Sequence, residues 1–338
     1  MLPFALRRLM GMVPMLFLAV LAIFLLVRSV PGDPVTNMLG EKGTPQERAR
    51  VTADLGLDRP MLVQFGIYLE GLVQGDLGRS YLKDESVSGR IAEKFPATFE
   101  LAFCAMCLAV LFGLTAGILS AVLRGKLLDY LSMFLALVGV SIPVFWLGLI
   151  LILLLGGDAP FPSGERIDWA AHFDYAPATG FYVLDALLHG DLAMLGEHLR
   201  HLALPSIALA TIPMAVISRM TRSSLLETLG QDFVRTARAK GVGEGRVVLR
   251  HALQPALVSV ITVVGLQFGT LLAGAVLTET VFNWPGLGTY VVDSVNERDY
   301  NAVQGAALVI ATTFMVCNLV ADLLYGLVDP RVKLGGAA

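Results

Sequence analysis

The sequence predicts an all-α, polytopic membrane protein with six transmembrane helices. Three observations carry that expectation. Of the 338 residues, 55% are hydrophobic and only 16% are charged, and the mean hydropathy is +0.69. That balance lies far from a soluble domain's. Six apolar runs reach the roughly 20 residues that a bilayer-spanning helix requires. Finally, Lys and Arg gather in every second short connection, as the positive-inside rule expects of a multi-pass chain.

The first run, 9–27, exceeds a signal-peptide core, and Pro31-Gly32-Asp33-Pro34 follows it in place of a small-residue cleavage site. It reads as a retained anchor. The others are 97–123; 128–155, with Pro143 inside; 201–220, with Pro205 and Pro213; 256–278; and 302–327. Prolines are tolerated in such runs because neighbouring helices satisfy the freed carbonyls.

Between the first two runs, 45–55 reads as helical. So does 60–73, where Leu62, Phe65, Leu69 and Leu72 recur at helical spacing. The connection 156–200 is longer than a linker needs to be. It carries Trp169, His172, Phe173, Tyr175, Phe181 and Tyr182, with seven acids against Arg166 and Arg200. An acidic, aromatic loop suits a soluble partner, and equally a folded cap over the helix ends.

Orientation follows from the short loops. Arg7 and Arg8 precede the first run, Arg124 and Lys126 separate the second and third, and Arg331 and Lys333 follow the last. Arg222, Arg235, Arg238, Lys240, Arg246 and Arg250 lie between the fourth and fifth. With six alternating spans, both termini and the 221–255 stretch are expected on the cytoplasmic side.

That stretch is polar and basic between two apolar runs. Asp232 stands where a helix N-cap would, and Gly241 where a C′ residue would. A second helical run, 244–253, follows a hinge of Gly241, Gly243 and Gly245. Were 225–240 one helix, Leu225, Leu226, Leu229, Phe233 and Ala237 would share a face, with Arg235 and Arg238 opposite. Helices this short need something to pack on.

Several chemistries are absent from the sequence. There is no GxxxxGK followed by Ser or Thr, no HExxH and no GxSxG, and Gly241-Val-Gly243-Glu-Gly245 lacks dinucleotide spacing. Cys104 and Cys107 have CxxC spacing but apolar neighbours, so they read as packing residues. His198 and His201 are three apart; a metal pair is one reading, interfacial histidines the other. Glu100, Asp129 and Asp322 are few for the buried relay that ion coupling requires. No enzyme is expected, and energy for a pore would come from another chain. The net charge of −3 says little about partners, and no nucleic acid is expected among them.

Across nearly its whole length the chain resembles the B-type permease subunits of the dipeptide/oligopeptide/nickel family of ABC importers, and within it the dipeptide permeases. The resemblance rests on Leu6-Arg7-Arg8, Pro31-Gly32-Asp33-Pro34, Leu55-Gly56-Leu57-Asp58 with Pro60, Gly75-Asp76-Leu77-Gly78 and Ser141-Ile142-Pro143-Val144-Phe145-Trp146. It continues through Arg219-Met220-Thr221-Arg222, DFVRTARAKG at 232–241, Thr278-Glu279-Thr280-Val281-Phe282, Trp284-Pro285-Gly286-Leu287-Gly288, Arg298-Asp299-Tyr300 and Val328-Asp329-Pro330-Arg331. Against the importers' EAA signature, Arg235-Thr236-Ala237 stands for EAA and Gly241 for its glycine. In its second half His251 stands for the expected Ile or Val, Leu253 keeps the leucine, Gln254 stands where Pro is expected, and Pro255 comes one residue late.

The resemblance implies a type I ABC importer permease fold in a bacterial inner membrane. It divides the chain into an anchor with its external loop (1–96) and a permease core (97–338). It implies a second permease, two ATPase subunits that hold ATP and Mg, and an extracytoplasmic solute-binding protein; this chain holds no cofactor and no metal. Coupling to the ATPase falls to Asp232, Phe233, Arg235, Thr236, Ala237, Arg238, Lys240 and Gly241. Gln267 and Thr270 are candidates for the path wall. Pro31, Gly32, Asp33, Pro34, Trp284, Pro285, Gly286 and Gly288 mark the external family signature. The rival readings are a stand-alone carrier or channel, and the same family with nickel, haem or longer peptides as cargo.

Overall fold

The computed structural model describes residues 2–29, 34–40, 44–157, 161–168 and 177–328. Pro31, Gly32, Asp33, Trp169, His172, Phe173 and Tyr175 lie outside the described residues. Among those described, the regular structure is helical apart from two isolated β-bridges.

Helix α1 spans Leu2–Ser29, α2 Pro34–Leu39, α3 Pro45–Asp54 and α4 Met61–Val73. Helix α5 is Val87–Val122, α6 Leu127–Ser141, α7 Val144–Leu155, α8 Tyr182–His189 and α9 Leu192–Leu229. Then come α10 (Asp232–Ala239), α11 (Glu244–Arg246), a π-helical turn (Val247–Ala252), α12 (Leu253–Gly274), α13 (Val276–Val281), α14 (Leu287–Glu297) and α15 (Tyr300–Val328).

Among the described residues, five helical stretches are long and apolar enough to cross a membrane: α1, α5, α9, α15, and α12 with its lead-in from Glu244. The sixth apolar run is not one straight helix. Its halves, α6 and α7, meet at 103°. Pro143 is the cause: the residue before a proline is driven out of the helical region, and Ile142 sits at φ −84°, ψ 124°.

Helices α5 and α9 outrun the apolar runs that announced them, because caps rather than hydropathy set their ends. The Ser86 hydroxyl accepts from the Gly89 amide, and the Asp191 carboxylate from the Met194 amide at 2.9 Å. Helix α3 starts on a complete capping box between Thr44 and Glu47.

The centre of the molecule is the α5–α9 pair. Ala105, Ala109, Gly113, Gly117 and Ala121 recur every fourth residue of α5, and all are buried. A Cβ on Gly113 would lie 2.8 Å from the Met214 carbonyl oxygen, and one on Gly117 2.6 Å from that of Ser218. Small residues let the two backbones approach and gain dispersion contacts where lipid offers no hydrophobic drive.

Arg222 of α9 braces this pair. Its Nε and Nη2 donate to the two oxygens of Asp129 at 2.7 and 2.9 Å. The Ser120 hydroxyl and the Gly125 amide donate to the same carboxylate. Helix α12 packs between α9 and α15, and α1 lies outermost on α15, where Arg8 meets Asp322 at 2.9 Å.

Candidate coupling site

After α9, Gly230 ends the helix, and α10 restarts from the N-cap Gln231. Asp232 is therefore the first helical residue and not the cap; its carboxylate meets Arg235 at 3.1 Å. The break also overturns the continuous 225–240 face. Phe233 is 45% exposed, and Val234 takes the buried position beside Ala237. Both pack with Leu225, Val247, Val248, Ala252, Ala256 and Ala121. One face of α10 is thus fixed to the ends of α5, α9 and α12.

Helix α10 closes on a Schellman motif. Gly241 sits at φ +79°, its amide donates to the Arg238 carbonyl at 2.9 Å, and the Val242 amide to that of Ala237 at 3.3 Å. A Cβ is disfavoured at that φ, which is why glycine stands there. The turn leads into Gly243, the N-cap of α11. The expected run 244–253 is not an isolated second helix. It passes through the π-helical turn directly into α12, so the coupling turn and that span form one continuous rod.

Across the glycine turn, Arg238 forms two bonds to Glu244, at 2.8 and 3.2 Å. Asp232, Phe233, Arg235, Thr236, Arg238, Lys240 and Gly241 are all exposed, whereas Ala237 is not. Seven of the eight expected coupling residues are thus open to solvent around α10, and Ala237 is on its packed face.

Trp284, Pro285, Gly286 and Gly288 build a buried seam around Glu279. The Trp284 indole is fully buried and donates to the Ala97 carbonyl at 2.9 Å. The Thr98 hydroxyl donates to Glu279 at 2.6 Å, and the Thr289 amide at 3.1 Å. A Cβ on Gly286 or Gly288 would run into this carboxylate. Burial pushes the Glu279 carboxyl above the ordinary glutamate range, against the pull of those hydrogen bonds.

Beside the seam, Arg166 donates to Glu100 at 2.5 Å and to the Gly180 carbonyl at 3.0 Å, with its guanidinium 3.6 Å over the Tyr182 ring. The other Glu100 oxygen accepts from the Val183 amide at 2.8 Å. His198 lies between the Arg166 carbonyl and Glu100, whereas His201 bonds the Gly164 carbonyl and Glu197. The histidines are engaged separately and form no metal pair. Residues 161–168 and 177–190 are a folded cap clamped onto α5 and α9. The signal for the clamp was a lone glutamate in an apolar run and a rare arginine in an acidic loop, too far apart in sequence for periodicity to join.

The path candidates lie on α12. Gln267 is half-buried; Thr270 is exposed, its hydroxyl donating to the Leu266 carbonyl at 3.0 Å.

The family described as "Binding-protein-dependent transport system inner membrane component" matches residues 113–334, and its N-terminal companion matches residues 1–102. The chain is 48% identical to a di/tripeptide transport system permease protein of Pseudomonas aeruginosa over 335 residues, which is 98% of this chain and 99% of that one. It is 46% identical to a dipeptide transport system permease protein of Escherichia coli over 98% of this chain and 99% of that one. A glutathione transport system permease protein of Escherichia coli is 39% identical over 98% and 99%. With both family segments matched in order and near-complete alignment to its relatives, the chain belongs to the inner membrane components of binding-protein-dependent transport systems and is an ABC importer permease, not an enzyme.

Proposed function

We propose that this permease joins a second, related permease to form a conduit for dipeptides, driven by two ATPase subunits and supplied by an extracytoplasmic solute-binding protein. ATP and Mg belong to the ATPase subunits. The observation that carries the reading is the two-faced α10: Val234 and Ala237 are fixed to the ends of three spans, while Phe233, Arg235, Arg238 and Lys240 stand open beside them. A short helix that exposes one large apolar side chain and several cations suits a partner cleft that carries acids. Force on that surface reaches α9 through the Gly230 junction and α12 through the π-helical turn, and rocks the spans about the interface with the second permease. Both termini and α10 lie on the cytoplasmic side in this reading, with residues 1–96 as the anchor region and 97–338 as the core. Gln267 and Thr270 belong to the path wall. Dipeptide as cargo rests on the relatives named for di- and tripeptide transport.

The test is co-purification in mild detergent, reconstitution into vesicles, and parallel measurement of dipeptide uptake and ATP hydrolysis. Gly241→Pro is expected to insert normally and to hydrolyse ATP without uptake. Normal uptake by that variant, or uptake without ATPase partners, overturns the reading. A cysteine probe for the contact belongs at the exposed Phe233 (Phe233→Cys) rather than at Ala237. A binding protein that selects nickel chelate, haem or longer peptide removes the dipeptide assignment alone.

A further inference from the structure

Helix α4 is strongly apolar, and its 13 residues are too few to span a bilayer. Leu62, Val63, Gly66 and Ile67 form one unbroken exposed arc over its first two turns, and Leu62 keeps 85% of its surface. A contiguous apolar patch on a folded chain marks contact with lipid or with another protein. Gln64, the one polar side chain in residues 61–67, is turned away from the arc. It accepts from Arg28 Nε at 2.9 Å and donates to the Arg59 carbonyl at 2.8 Å. Covering the arc with acyl chains therefore desolvates no hydrogen-bonding side chain. Glu70, the only charged residue of α4, comes in its last turn, just ahead of Gly75 and Asp76.

Depth decides what covers the arc. The Phe65 ring lies 6.1 Å from that of Phe17 and 5.0 Å from that of Phe24, both on α1. It therefore stands level with residues 17–24, about 12 Å short of the end of α1 at Ser29. Helical side chains lean towards the N-terminus, which carries the two α1 rings further from that end. Tyr68 stacks on Phe24 at 5.9 Å, so the next turn of α4 is held close to the same level. Helix α1 is a span and the outermost one, and its own Leu18, Leu25 and Leu26 are exposed at that level. The open arc of α4 continues this lipid-facing surface beside the span.

We propose that the first two turns of α4 dip into the leaflet at the C-terminal end of α1 and take acyl chains against Met61, Leu62, Val63 and Ile67, with Glu70 at the headgroups. The test is footprinting of the unaltered transporter, purified in mild detergent and returned to vesicles of phosphatidylethanolamine and phosphatidylglycerol doped with a phospholipid that carries a diazirine in its acyl chain. On illumination, residues 61–67 are expected to take up label as strongly as residues 18–26. Hydroxyl radicals generated in the water are expected to oxidise Met61 no faster than Met15 of α1; the two are 51% and 59% exposed, so the comparison is direct. Leu62→Asp combined with Ile67→Asp is expected to lose most of the label at 61–67 and to leave that at 18–26 unchanged. Should this variant fail to insert, seen as loss of label on α1, the comparison of Met61 with Met15 in the unaltered chain still decides. Rapid oxidation of Met61 would put the arc in water. Loss of both label and oxidation there would put a second permease or another protein on it. Undiminished label in an inserted variant would show that these side chains do not hold α4 in the lipid. Each of the three overturns the assignment.

Discussion

Two arginine–glutamate pairs stand in the two regions that matter most. At the coupling turn, Arg238 and Glu244 keep 41% and 66% of their side-chain surface in solvent. In the cap of residues 161–168 and 177–190, Arg166 and Glu100 keep 5% and 6%. The contacts are chemically alike, yet their consequences are opposite. An exposed pair exchanges water for a partner at little gain. A buried pair leaves a stranded charge if either member goes. The Arg166–Glu100 pair therefore acts as a lock that holds the cap to α5 and α9, whereas the Arg238–Glu244 pair clips an exposed turn.

The largest expected effect comes from breaking the lock. Arg166→Met strands Glu100 and is expected to cost about 3–5 kcal/mol of stability, read by unfolding of the purified chain in detergent. Adding Glu100→Leu should recover most of that loss; a double variant as unstable as the single one would show that the lock is not electrostatic.

A smaller effect concerns Glu279. Its raised carboxyl holds a proton in the folded chain over a window in which the unfolded chain has released it. Stability therefore falls as pH rises from the ordinary glutamate range towards the raised value. Unfolding midpoints at pH 5 and pH 8 should differ more for the wild type than for Glu279→Gln, and parallel midpoints would remove Glu279 as the source.

The smallest effect sharpens the comparison from the other end. Arg238→Ala should leave the unfolding midpoint unchanged, since both partners are exposed, while lowering the uptake obtained per ATP hydrolysed. A clear drop in midpoint would make the Arg238–Glu244 pair a lock as well.

Much of this architecture was legible because spans and caps are local. The six apolar runs correspond to five long helices and one bent pair, and Gly241 stands at its helix end because only a positive φ completes the Schellman motif. The bend was less legible: Pro143 marks a kink or a break equally well until the neighbours of Ile142 are known. At the coupling site, reading 225–240 as one helix put Phe233 on a shared apolar face with Leu225, Leu226, Leu229 and Ala237. The stop at Gly230 rotates α10 and turns Val234 inward instead. The lock joins Glu100, Arg166 and His198 from three separate elements, and periodicity carries no information across such distances. Trp284-Pro285-Gly286-Leu287-Gly288 stood out as a motif, but its reason, a carboxylate that leaves no room for a Cβ, appears only in three dimensions.

The glycine and alanine seam between α5 and α9 has a mechanical meaning. Two rods pressed together along a line of minimal side chains have little thickness between them in which to shear, so they turn as a two-ply beam. One end of that beam carries the α10 platform through Ala121 and Leu225. The other carries the cap through Glu100 and His198. A displacement delivered at one end then arrives at the other as rotation of the whole beam, with no chain of rearranging contacts in between.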